Sequence, residues 1–140
     1  MKIKIVLIEG AKPPRKALKG DAGYDIFSNE DITLWAGDKA SIKTGFATKL
    51  EDGFVGLVWD KGGISNNYGV TVLGGVFDSN YIGEWVIGLV NLGRKAYRVE
   101  KGQKIAQVLF QKVEKPELEF VKKLPKTNRG NRKFNSTGDR

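Results

Sequence analysis

Neither cysteine nor histidine occurs in this chain of 140 residues. Without cysteine there can be no disulfide framework, thiolate zinc cluster or cysteine nucleophile. Without histidine a Ser-His-Asp triad is impossible. Any general base must then be a carboxylate, a lysine or a tyrosine. Any metal must be a hard ion held by oxygen, with Mg²⁺ the foremost candidate. Long apolar runs are missing too. None approaches the ~18 uninterrupted residues of a membrane helix, so no membrane partner is expected. The opening stretch MKIKIVLIEG is too charged and too short for a signal peptide, which makes the cytoplasm the expected location.

What is present describes a folded body with an unlike end. At 40% hydrophobic and 29% charged residues, the chain has the composition of one globular domain. The net charge of +8 points to an anionic partner. That charge is not spread evenly. Residues 122–140 hold seven Lys and Arg against Asp139, a net of +6, which leaves +2 for residues 1–121. This is a nearly neutral body with a basic arm, and no nucleic acid is expected as partner. In the arm only Leu124 and Phe134 are large and apolar, too few to build a core of its own.

The body reads as strands. KIKIVLI (2–8) alternates and then turns apolar. A loop with paired prolines follows at 11–23. Short β-like runs come next at 24–27, 31–34, 39–50, 54–59, 69–73, 84–92, 96–100 and 104–113. Glycine, aspartate or asparagine separates most of them. No helical period of any length stands out. Many short strands at near-regular spacing predict an all-β fold: a sandwich, barrel or jelly roll.

Four stretches could carry chemistry, and each has an ordinary reading beside it. In GGVFDSNYIGEW (74–85), Gly74 and Gly75 permit a bend and a close approach to the main chain. Asp78 then ends an apolar run at the edge of a hairpin, or is a turn aspartate bonding its own backbone. In WDKGGISNNYG (59–69), Lys61 with Gly62 and Gly63 offers a cation and N–H groups to phosphate. It lacks the order of a P-loop and also reads as a plain loop. Gln107 lies in the apolar strand KIAQVLF, where period-two alternation puts it on a face with Ile105, Leu109 and Gln111. It is either a buried hydrogen-bonding residue or a ligand contact. The arm is either a solvated tail or a set of cations, hydroxyls and one ring that a ligand could order.

Taken in order, DAGYDIFS (21–28), DKGGIS (60–65), GGVFDSNYIGE (74–84), GQKIAQVLF (102–110) and RGNRKFNSTG (129–138) resemble the five motifs of the trimeric dUTPase family. The resemblance runs from residue 21 to 138. It implies a distorted jelly-roll fold, a body at 1–121 and an arm at 122–140 that closes over a neighbouring subunit's site. It also implies a homotrimer with sites between subunits, and hydrolysis of dUTP to dUMP and pyrophosphate with Mg²⁺ held mainly by the phosphates and water.

Residue by residue, the resemblance gives Asp78 the place of the carboxylate that activates the attacking water. Leu73, Gly74, Gly75 and Val76 match the bend whose main-chain groups read uracil. Tyr81 matches the ring set against the deoxyribose, where it would exclude a ribose 2′-hydroxyl. Lys61, Gly62, Gly63 and Gln107 match phosphate contacts. Lys61-Gly62 stands where the family carries Arg-Ser, keeping the charge while losing the bidentate fork. Asp25 matches a buried, ion-paired aspartate near the site. In the arm, Arg129 would meet the terminal phosphate, Phe134 would stack on uracil, and Ser136, Thr137 and Gly138 would add phosphate contacts. Arg132, Lys133 and Asn135 depart from the glycine-rich family motif. Two other functions fit the same scaffold: a dCTP deaminase or bifunctional form, and a catalytically silent nucleotide-binding regulator. The third motif keeps the hydrolase form FDSNYIGE, which favours the dUTP diphosphatase.

Overall fold

The computed structural model describes residues 1–135, 137 and 138. Ten strands and one short helix follow one another as β1 (Lys4–Leu7), β2 (Tyr24–Phe27), β3 (Ile32–Leu34), β4 (Lys39–Lys49), β5 (Phe54–Trp59), α1 (Gly62–Tyr68), β6 (Val70–Leu73), β7 (Val76–Asp78), β8 (Glu84–Asn91), β9 (Tyr97–Val99) and β10 (Lys104–Lys112). Two four-stranded sheets, ordered β1-β4-β8-β6 and β2-β10-β5-β7, carry the body, and β3 pairs with β9 as a small third sheet. Every strand pairing is antiparallel. The all-β expectation therefore stands, as layered sheets whose inner faces share one core.

The alternation that marks strands in the sequence decides which face is buried. Along β8, Trp85, Ile87, Leu89 and Asn91 point inward while their neighbours are only half-buried. Trp85 is fully buried and stacks on Phe77 of β7, with ring centroids 4.0 Å apart and planes 6° from parallel. Its indole N–H donates to the Thr48 hydroxyl at 3.0 Å, so the large ring leaves no polar atom unpaired. Ile26, Ile42, Phe46, Val99 and Val108 complete the centre of the cluster. Asn91 is buried yet satisfied. Its amide donates to the carbonyls of Leu34 and Lys95 and accepts from the Gly93 N–H, which stitches the loop after β8 to β3.

Three features depart from the sequence reading. Residues 62–68 form a helix where none was expected. Seven residues give too few turns for a period to show, and Gly69 closes the helix with φ +74° and its N–H on the Ser65 carbonyl. The bend at 74–83 contains a strand, β7, which leaves the sheet of β6 and β8 to pair with β5. The face assigned around Gln107 is broken: the register slips between Lys104 and Ala106, so Ile105 and Ala106 are both buried and Ile105 joins the core.

The last backbone hydrogen bond holding the C-terminal stretch to the body runs from the Val113 N–H to the Gly53 carbonyl. Among the described residues, everything after it is exposed. Among them, too, no helix is long and apolar enough to cross a membrane.

Candidate active site

The register of the second sheet decides which side chains can meet. Gln107 of β10 lies opposite Asp25 of β2 on one side and Trp59 of β5 on the other. Asp78, at the end of β7, lies opposite Val55 of β5. Residues directly opposed in a sheet point to the same face, as do residues two apart along a strand. Asp25, Gln107, Trp59, Leu57 and Asp78 therefore share one face, while Val58, Val108 and Phe77 pack inward. They do not share one spot. Asp78 and Gln107 are separated by about 13 Å along β5 and about 10 Å across two strand spacings, hence by about 16 Å.

The first half of this face is a fixed polar cluster. The Asp25 carboxylate is buried and pairs with the Lys61 ammonium at 2.6 Å and the Lys104 ammonium at 3.1 Å. Burial alone would push the Asp25 carboxyl up; hydrogen bonds and charge from the two lysines outweigh it and hold the group below its ordinary range. The Gln107 amide donates to the Asp60 carbonyl at 2.8 Å. Its other edge lies over Gly23, where any Cβ would collide with the amide oxygen. Lys61 itself is extended at the entry to α1, and its ammonium is turned in toward Asp25. The chain N–H groups of Gly62 and Gly63 open the first turn, where a helix leaves donors without internal partners.

The second half is the bend and its carboxylate. Gly74 adopts φ +58°, and among the described residues no backbone hydrogen bond engages its N–H or C=O. Gly75 is pressed against β5: its carbonyl accepts from the Val58 N–H at 2.8 Å, and a Cβ there would lie 2.5 Å from the Val58 carbonyl oxygen. Leu73 and Val76 on either side are exposed. Asp78 is exposed as well, and among the described residues its carboxylate has no hydrogen-bond or ion-pair partner. It lines an open groove of about 820 Å³ with Leu57, Val76, Ser79 and Gln111. Tyr81 is held twice: its hydroxyl donates to the Glu84 carbonyl at 2.6 Å, and its ring meets Phe77 edge-on at 5.7 Å.

The arm's residues stand apart from both halves. Phe134 is 95% exposed, and Arg129 and Thr137 are exposed. The Arg129 guanidinium donates to the carbonyls of Arg132 and Lys133 within the arm. Ser136 lies outside the described residues. Three contributors were invisible in the sequence: Lys104 as second cation on Asp25, Asp60 as acceptor for Gln107, and the exposed Trp59 beside them. Each depends on strand register, which no local motif announces.

Comparison with known proteins points in one direction. A family model described as dUTPase matches residues 9–138. A deoxyuridine 5′-triphosphate nucleotidohydrolase of Clostridium tetani is 41% identical over 140 residues, covering 99% of this chain and 96% of its own. The solved structure of the Staphylococcus bacteriophage 80alpha dUTPase with dUpNHpp superposes with a TM-score of 0.86 at 30% identity, covering 98% of both chains. A mutant dUTPase from phage phi11 of S. aureus, whose structure shows the coordination of a structural Mg(II) ion, superposes with a TM-score of 0.82 at 27% identity, covering 90% of this chain and all of the other.

Proposed function

This chain belongs to the dUTPase family, and from that footing we propose that it hydrolyses dUTP to dUMP and pyrophosphate with Mg²⁺, using Asp78 to activate the water. The carrying observation is the Asp78 carboxylate: exposed, without a partner among the described residues, and three residues beyond a glycine bend pinned to β5. A carboxylate so placed is free to take a proton from water. The water oxygen bonds to the α-phosphorus, the bond to the bridging oxygen breaks, and pyrophosphate leaves with the charge. A positioned base of this kind contributes ~10²–10⁴ in rate. Alignment and charge neutralisation supply most of the rest.

The bend supports a base-reading role. Gly74 keeps its main-chain N–H and C=O unengaged among the described residues, and the clamp of Gly75 on Val58 keeps them from yielding. A rigid donor-acceptor edge rejects cytosine because its exocyclic donor would meet a donor and leave buried groups unpaired. Leu73 and Val76 bracket that edge. Tyr81, fixed at its hydroxyl and its ring, supports a wall against the deoxyribose that has no room for a 2′-hydroxyl. Names of relatives give no support to the deaminase alternative.

For the phosphates, Gln107, the N–H groups at Gly62 and Gly63, and the margin of the Lys61–Asp25 pair form the receiving face. Among the described residues no three carboxylates converge into a metal cage. Magnesium bound here would take its oxygens largely from the triphosphate and water, and would offset the phosphate charge. The separation of about 16 Å between Asp78 and Gln107 is longer than one triphosphate spans from sugar to its middle. That separation supports a site shared between chains, in which Asp78 of one chain meets Gln107 of the next; the family resemblance alone makes the assembly a homotrimer. The basic arm, 122–140, supports a lid that brings Arg129, Phe134, Ser136 and Thr137 over a neighbour's site and excludes water. The cytoplasm is the location that goes with this reading.

Asp78→Asn tests the reading. The variant should bind dUTP with near-normal affinity and turn it over 10²-fold or more slowly, about the range of one general base. Turnover like that of the wild type would remove Asp78 from the mechanism.

A further inference from the structure

Asp60 touches the first half of the face and the strand, β6, that leads into the bend of the second. Its carboxylate accepts from the Thr71 hydroxyl at 2.8 and 3.0 Å and from the Val72 N–H at 2.8 Å. Its main-chain carbonyl accepts from the Gln107 amide at 2.8 Å. The next residue, Lys61, carries the ion pair to Asp25. A turn aspartate bonds to its own neighbours. Asp60 instead reaches 11 and 12 residues along the chain through its side chain, and 47 through its carbonyl. Thr71 and Val72 are the residues of β6 just before Leu73 and the glycine bend. Thr71 and Val72 hold the Asp60 carboxylate in one orientation, turned toward β6.

We propose that Asp60 is a positioning residue that locks the base-reading bend of a chain to the phosphate-receiving face of the same chain. This rests on the roles given above to Leu73–Val76 and Gln107. In that arrangement the two halves of one chain serve different sites, so Asp60 also ties neighbouring sites together: a shift at the base in one is carried through β6 and Asp60 to the phosphate contacts of the next. Its carboxylate is replaceable by an amide, because the bond to the Val72 N–H needs only an oxygen acceptor.

The experiment uses the full chain. Steady-state kinetics with dUTP and with dCTP are paired with hydrogen exchange at the Val72 amide, for the wild type, Asp60→Ala, Asp60→Asn and Thr71→Val. Asp60→Ala should raise KM for dUTP about 10-fold while kcat changes less than about threefold, the split expected when ground-state binding is lost. It should also narrow the preference for dUTP over dCTP and speed Val72 exchange. Asp60→Asn should restore KM, preference and exchange. An Asp60→Ala protein with wild-type KM and preference overturns the proposal, as does an Asp60→Asn protein as impaired as the alanine variant. If Asp60→Ala does not fold, Thr71→Val decides the matter. A KM raised about twofold to threefold with faster Val72 exchange supports the brace, since one of its bonds is gone; unchanged KM and exchange overturn it. A wild-type protein inert toward dUTP would defeat the functional reading instead, and the exchange data would still report on the brace.

Discussion

Asp25 is a carboxylate that folding makes useful and acid should undo. Its pKa is held below the ordinary value near 3.8 by Lys61 and Lys104 against the opposing effect of burial. The unfolded chain therefore binds a proton at Asp25 before the folded one does. The stability from these pairs is fully present above about pH 4 and is lost as pH falls through the lower, folded-state pKa. Urea midpoints measured between neutral pH and about pH 3 should fall more steeply at the acid end for the wild type than for Asp25→Asn. At neutral pH that variant should be the less stable of the two, because two ammonium groups lose their countercharge in a half-buried place. Parallel acid limbs in the two proteins would show that the pair does not govern this window. At this scale the sequence was legible in kind: Asp25 was read as ion-paired and buried. The identity of its partners was not, since Lys104 comes from a strand 79 positions away and meets Asp25 only through the β2–β10 register.

Among the elements, short apolar runs bounded by turn residues were the easiest to see. The runs at 24–27 and 54–59 coincide with β2 and β5 residue for residue. Three-residue β7 was hidden because Val76-Phe77-Asp78 sits between glycines and Ser-Asn turn chemistry, and its pairing with β5 is a tertiary choice. The bulge in β10 was hidden for a similar reason: both Ile105 and Ala106 are apolar, so a slip in register leaves no mark on the pattern. Helix α1 has a Gly-Gly start, which is poor helix-forming sequence. It is held instead by Ile64 packed on the core and by Tyr68 against Tyr97, with rings 5.0 Å apart. Its glycine start invites a test. A Cβ at Gly62 would meet only the Asn66 amide nitrogen, at 3.9 Å, so a larger residue fits. Gly62→Ser should stabilise the protein by about 0.3–0.5 kcal/mol of helix propensity, seen as a slightly higher melting temperature, and leave kcat/KM for dUTP equal or higher. A loss of activity in that variant would mean that the first turn of α1 owes its function to the bare glycine.

For the whole molecule, the body and the arm obey different rules. The body closes a core around Trp85 and the sheets. The arm carries most of the net positive charge and, among its described residues, makes no hydrogen bond to the body. Deleting residues 126–140 should leave the melting temperature of the assembled protein nearly unchanged and lower kcat/KM sharply, because only closure over the substrate is lost. Full activity in the truncated protein would contradict the lid. The arrangement of sites makes a stronger demand. One chain holds its candidate base and Gln107 of its phosphate face about 16 Å apart, and under the proposed homotrimer each site draws on two chains. Asp78→Asn and Gln107→Ala proteins can be prepared separately, each nearly inactive, then unfolded together and reassembled. Mixed trimers should recover dUTP hydrolysis at about a quarter of the wild-type sites, since a random assembly places an intact Asp78 beside an intact Gln107 in that share. Recovery of that order is the result expected here; a mixture as inactive as its two parents would show that Asp78 and Gln107 act within one chain and would contradict the account.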